Sequence, residues 1–102
     1  MMNFLKMIFG EKVNLQEIIS NGAVIVDVRT KGEYQSGHLR NSVNIPLDKL
    51  PQNIKKLNSN KPIITCCASG ARSSSARRIL KSNGFEKVYN GGSWYSLRKY
   101  TS

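Results

Sequence analysis

Ile63-Ile64-Thr65-Cys66-Cys67-Ala68-Ser69-Gly70-Ala71-Arg72-Ser73 carries a short apolar run into a segment that reads as a helix from Ser73 to Asn83. A strand feeding a helix through a tight turn is the building unit of an α/β fold. This turn also carries chemistry. The first N–H groups of a helix have no intrahelical partner, and the helix dipole favours negative charge beside them. A cysteine placed there has a lowered pKa, and an anion can be held next to it. Gly70 permits the positive φ that a loop curling around a sulfur or an oxyanion needs. Arg72 adds a permanent positive charge on a planar fork of donors. The stretch reads as a nucleophile, Cys67, set in an anion cradle built from Ala68, Ser69, Gly70, Ala71, Arg72 and Ser73.

Working outward, strands and helices alternate. Asn14 is placed to cap a short helix through Leu15, Ile18 and Ile19 that ends at Asn21-Gly22. Ala23-Val24-Ile25-Val26-Asp27-Val28 is a continuous apolar, β-branched run, as in a strand covered on both faces. A helical turn is expected around Glu33 and Tyr34, then a short strand at Val43-Asn44-Ile45 stopped by Pro46. Leu50, Ile54 and Leu57 share one face of a helix with Pro51 near its start. After the decisive loop, Ala76, Ile79 and Leu80 form the inward stripe of its helix. A last strand is expected from Lys87 to Asn90, and Trp94, Leu97 and Arg98 mark a closing helix. Such alternation implies right-handed βαβ units and a mainly parallel sheet.

Three blocks, in this order, resemble the rhodanese-like family of sulfurtransferases. The first is Val26-Asp27-Val28-Arg29 with Glu33-Tyr34, Gly37-His38-Leu39 and Asn44-Ile45-Pro46. The second is the loop itself, similar to Cys-x-x-Gly-x-Arg-Ser. The third is Gly84-Phe85 followed by Val88-Tyr89-Asn90-Gly91-Gly92-Ser93-Trp94, similar to the family's closing strand, Gly-Gly turn and Trp. The resemblance spans residues 13 to 98. It implies a three-layer α/β domain, a mainly parallel central sheet flanked by helices. It also implies sulfur transfer without metal or organic cofactor. In that chemistry the Cys67 thiolate takes a sulfane sulfur from a small anionic donor as a persulfide, and a thiol or protein cysteine then accepts it. Arg72 would hold the donor oxyanion or the outer persulfide sulfur. Asp27 and Arg29, the Asp-x-Arg pair, would tie the strand end to neighbouring loops. At the loop's variable positions this chain has small residues, where many thiosulfate-preferring relatives carry a basic residue directly after the cysteine. The donor is accordingly read as thiosulfate-like or a persulfide.

Which cysteine is the nucleophile is a matter of register. Counted from Cys66, Arg72 completes Cys-x5-Arg-Ser, the phosphate loop of cysteine-dependent phosphatases, some of which share the rhodanese fold. Counted from Cys67, Gly70 falls on the sulfurtransferase glycine, and Lys61-Pro62 opens the strand at the family spacing. The Cys67 register is preferred, and phosphatase chemistry at Cys66 stays open beside it. So does a non-enzymatic rhodanese-like binding module, although such modules typically lose the cysteine or the arginine that this chain keeps. Cys66 reads as a buried small hydrophobe or, alternatively, a resolving thiol. His38 reads as part of a structural turn rather than a general base, and Trp94 as core or pocket wall.

Composition bounds the rest. The 102 residues suit one compact domain at 13–102 preceded by an N-terminal segment, 1–12. Within that segment Phe4-Leu5-Lys6-Met7-Ile8-Phe9 is short, interrupted by Lys6, and not followed by a small-residue cleavage site. It reads as a stretch that packs on the domain or frays, not as a membrane or export signal. Adjacent cysteines point to opposite faces of a strand, so no disulfide is expected, and a monomer in the reducing cytoplasm is the default. His38 is the only histidine, and no Cys/His set has zinc spacing. The net charge of +10 makes nucleic acid a candidate partner. The basic residues are spread along the chain without a reader motif, however, and an anionic substrate or acidic partner accounts for them more simply.

Overall fold

The computed structural model describes residues 13–101. The readings made for the 1–12 segment, including the Phe4 to Phe9 run, and for Ser102 lie outside the described residues. Helix α1, Leu15–Ser20, begins at Asn14, whose side-chain oxygen accepts from the Glu17 N–H at 3.0 Å. It stops at Asn21-Gly22, where Gly22 takes φ 98°. Strand β1, Val24–Asp27, is the central part of the expected apolar run. Helix α2, Lys31–Ser36, is a fuller helix than the single turn expected around Glu33. A reciprocal capping box between Thr30 and Glu33 starts it. Strand β2, Val43–Asn44, is one residue shorter than expected, although the Ile45 N–H still donates to Asp27 O at 3.0 Å.

The expected helix through Leu50, Ile54 and Leu57 is instead α3, Leu50–Asn53, between the 3₁₀ turns Leu47–Lys49 and Ile54–Lys56. Pro51 lacks an N–H in the first turn, and the Asn53 amide donates to Lys49 O at 2.7 Å. Both weaken a regular helical ladder. The apolar face nevertheless holds, with Leu50 buried and Ile54 and Leu57 packed on the core.

Strand β3, Ile63–Cys67, is buried throughout and carries both cysteines. Helix α4, Ala71–Ser82, starts two residues earlier than expected, because Gly70 in a left-handed conformation (φ 110°) turns the chain directly into it. Strand β4, Val88–Ser93, corrects the expected Lys87–Asn90 strand and its Gly-Gly turn: the strand continues through both glycines. A register shift makes this possible, since Thr65 pairs with Asn90 but Cys67 pairs with Ser93. Gly91 sits in that bulge against β3. A Cβ there would lie 2.7 Å from Ile64 Cγ2 and 3.0 Å from Thr65 O. The chain closes with a 3₁₀ helix, Tyr95–Tyr100, rather than an α-helix, and Leu97 anchors it.

The sheet order is β2-β1-β3-β4 and every pairing is parallel. Alternation along β3 divides the core. Ile63 and Cys67 join Val26, Leu50, Ala76, Leu80 and Val88 on the α3–α4 side. Ile64 and Cys66 join Ile25, Leu39 and Leu97 on the other, covered by α1 and the closing helix. The result is the three-layer α/β arrangement with a parallel central sheet. Every crossover returns the chain so that the carboxyl ends of β1 and β3 lie side by side, which puts Asp27 and Cys67 at one end of the sheet. Among the described residues no helix is long and apolar enough to cross a membrane.

Candidate active site

Cys67 is the last residue of β3, and the backbone from Ala68 to Ser73 curls around its sulfur. The Gly70 N–H donates to Cys67 Sγ at 2.9 Å and the Ser73 N–H at 3.4 Å, while Ser73 Oγ lies 3.6 Å away. Burial of the thiol favours its neutral form. The Ser73 hydroxyl and the N–H groups of Ser73, Gly70 and Ser69 outweigh that, and the Cys67 pKa is lowered. The neighbouring thiol behaves oppositely. Cys66 points into the apolar cluster of the other face, where burial, aided by the Asp27 carboxylate, pushes its pKa up to about 12. Both cysteines are free, and strand alternation keeps them on opposite sides of the sheet.

The cradle is held from behind. Thr65 Oγ1 donates to Ser73 O at 2.8 Å, and the Trp94 N–H donates to Cys67 O at 2.8 Å. Ser73, fully buried, places its hydroxyl 2.6 Å from Asn90 Oδ1 and 3.0 Å from Gly70 O. Asn90 in turn donates through Nδ2 to Gly70 O at 3.3 Å and accepts the Gly92 N–H at 2.9 Å. Thr65 and Asn90 were not among the residues the sequence singled out. Asn-Gly announces a turn, but no local signal announces that Asn90 reaches Ser73 across the β3–β4 pairing.

Arg72 is engaged with Glu33 of α2. Its two terminal nitrogens donate to the two carboxylate oxygens at 2.7 and 3.0 Å. That fork, together with the Thr30 N–H, holds the Glu33 carboxyl at a pKa of about 2 and raises that of Arg72. The arginine thus reaches the loop as half of an ion pair rather than as a free cation. Ala68, Ser69 and Ala71 are exposed on the loop, while Cys67 itself is fully buried.

Asp27 and Arg29 form a buried pair. Arg29 Nη2 donates to Asp27 Oδ2 at 2.8 Å and Nε contacts both carboxylate oxygens. The remaining guanidinium donors go to Gly37 O at 2.7 Å and Glu33 O at 3.3 Å, so the pair ties the end of β1 to both ends of α2. Its planar face lies 4.7 Å from the Trp94 ring centre, which makes Trp94 a wall of this frame. His38 stacks on Tyr34 with its Nδ1 2.7 Å from Tyr34 O, as a turn residue would.

Comparison with known proteins agrees with this architecture. The rhodanese-like domain profile matches residues 12–95. Thiosulfate sulfurtransferase GlpE of Pseudomonas savastanoi pv. phaseolicola is 34% identical over 86 residues, 84% of this chain and 81% of that protein. YrkF of Bacillus subtilis is 39% identical over 82 residues, 80% of this chain but 42% of its own length. With YqhL of the same organism the matched part is 54% of the relative, so the chain spans about half the length of these two curated relatives. Among solved structures, a rhodanese-related protein from Thermoplasma volcanium superposes with a TM-score of 0.72 at 29% identity, covering 83% of each chain. A rhodanese with anions from E. coli superposes at 0.68, with 29% identity over 72% of this chain and 89% of the other. Profile, sequence relatives and fold agree: the chain belongs to the rhodanese-like domain family.

Proposed function

We propose that the chain is a sulfurtransferase with Cys67 as its nucleophile. One observation carries the reading: Cys67 alone of the two thiols is ringed by N–H donors, while Cys66 faces a sealed apolar layer. The Cys67 thiolate attacks the outer sulfur of an anionic sulfane donor. A bond forms between the two sulfurs, the donor's own bond to that sulfur breaks, and the donor leaves with the electron pair. With thiosulfate the leaving group is sulfite. An acceptor thiolate, a small thiol or a protein cysteine, then attacks the same sulfur and regenerates the Cys67 thiolate. The N–H groups of Ser69, Gly70 and Ser73 stabilise thiolate and persulfide in turn. Ala68 and Ala71 put only small side chains on the loop. Arg72 contributes its field from within its pair with Glu33 and keeps the start of α4 in place, and Asp27 and Arg29 hold the frame.

The name carried by the Pseudomonas relative, thiosulfate sulfurtransferase, supports the same reaction class. Thiocyanate formation from thiosulfate and cyanide tests the proposal. Cys67→Ser should abolish it and Cys66→Ser should largely spare it; the reverse pattern would move the nucleophile to Cys66.

A further inference from the structure

The Ser73 hydroxyl has one hydrogen and three acceptors around it: Cys67 Sγ at 3.6 Å, Asn90 Oδ1 at 2.6 Å and Gly70 O at 3.0 Å. Gly70 O is already served by the Ser74 N–H at 3.0 Å and by Asn90 Nδ2. The short contact to Asn90 is therefore where the hydrogen belongs when Cys67 is a thiol, with the S–H donating to Ser73 Oγ. Once the thiol is ionised, the sulfur becomes the stronger, charged acceptor, and the hydroxyl must turn away from Asn90 to serve it.

We propose that Asn90 is a positioning residue that withholds the Ser73 hydroxyl hydrogen from the Cys67 sulfur, so that β4 sets how readily the thiolate forms. This rests on Cys67 being the reactive thiol and adds a control on it from a different strand. The amide orientation is fixed independently, because the Gly92 N–H donates to Asn90 Oδ1 at 2.9 Å, and that leaves the oxygen pointing at Ser73. Asn90 itself is exposed while Ser73 is fully buried, so the contact links the surface to the sulfur through one side chain. The other groups that face Cys67 do not duplicate it. Arg72 on α4 is paired with Glu33 from α2, Asp27 on β1 is paired with Arg29, and Cys66 on β3 is a neutral thiol. Of the β4 residues nearest the loop, Asn90, Gly91, Gly92 and Ser93, none is charged.

The test is the pH dependence of Cys67 alkylation by iodoacetamide in the full chain, in a Cys66→Ser background. Asn90→Ala frees the hydroxyl for the sulfur and should lower the midpoint by about half a unit to one unit. Asn90→Ser should do the same, because its side chain is too short to reach Ser73 yet still forms the turn with Gly92. It serves if the alanine variant folds poorly. Asn90→Asp keeps the acceptor and adds a negative charge, so its midpoint should rise. Combined with Ser73→Ala, Asn90→Ala should produce no further shift. A midpoint that is unchanged or raised in both Asn90→Ala and Asn90→Ser, or an equal shift when Ser73 is absent, overturns the proposal. Persulfide formation is read separately by mass, so a wild type that takes no sulfur would defeat the functional reading while the titration still decides the role of Asn90.

Discussion

Glu33 on α2 and Arg72 on α4, 39 positions apart, meet fork to fork in front of the Cys67 loop. The pair joins the helix after β1 to the helix after β3. Glu33 is also the N3 residue of its own helix's capping box, with Oε1 accepting from the Thr30 N–H at 3.0 Å. One carboxylate thus starts one helix and restrains the arginine at the start of another. The backbone N–H groups, rather than a free guanidinium, are left as the donors to the sulfur.

This gives a pH-dependent stability of known sign. The folded Glu33 pKa of about 2 lies below its ordinary value of 4.5. Its contribution is therefore fully present above about pH 4.5 and is lost as pH falls toward 2. Both side chains are about a third exposed (35% and 37%), so solvent screening limits the pair to about 0.5–1 kcal/mol. Urea midpoints for wild type and Glu33→Gln should differ at neutral pH and converge in acid. A gap that widens on acidification would contradict the assignment.

The thiols should separate cleanly by reactivity. Cys67 should alkylate with a midpoint below the ordinary thiol value of about 8.5. Ser73→Ala should raise that midpoint, because it removes a donor to the sulfur. In Cys67→Ser the remaining Cys66, buried and pushed to about 12, should stay unmodified in the native protein. Rapid labelling of Cys66 in that variant would contradict its placement in the apolar layer.

The buried Asp27–Arg29 pair is a frame whose loss should be felt globally. Asp27→Asn leaves a guanidinium that is 6% exposed without its counter-charge, which should cost about 3–5 kcal/mol in denaturant unfolding. A loss under about 1 kcal/mol would mean that Gly37 O and Glu33 O suffice to hold the arginine.

Gly91 tests the bulge in β4. Its added methyl in Gly91→Ala would meet Ile64 Cγ2 at 2.7 Å and Leu97 Cδ1 at 2.9 Å, both in the core layer. A loss of about 1–3 kcal/mol is expected from this overpacking. Gly22→Ala offers the contrast, since nothing lies within 4 Å and only its φ of 98° opposes a side chain. An unchanged midpoint for Gly91→Ala would mean that β4 does not approach β3 as described.

The parallel architecture and the Cys67 loop were legible because their signals are local. A β-branched run, a cysteine and a glycine at fixed spacing, and an apolar stripe at Ala76, Ile79 and Leu80 each express themselves within a few residues. What the sequence hid depends on pairing across the fold. The bulge that carries β4 through Gly91 and Gly92 arises only against Ile64 and Thr65. Asn90 becomes part of the site only because β4 lies beside β3. Arg72 reads as a free cation until α2 brings Glu33 to it. The capping box is a local signal that went unread: Thr30 and Glu33 stand three apart, yet only a helical turn was expected around Glu33 and Tyr34.

In the proposed reaction Cys67, and not Cys66, carries the sulfur. Intact mass after exposure to thiosulfate without reductant tests it most directly, on wild type, Cys66→Ser and Cys67→Ser. Wild type and Cys66→Ser are expected to gain a single sulfur atom that cyanide removes, and Cys67→Ser to gain none. A sulfur adduct that persists in Cys67→Ser and disappears in Cys66→Ser would contradict it.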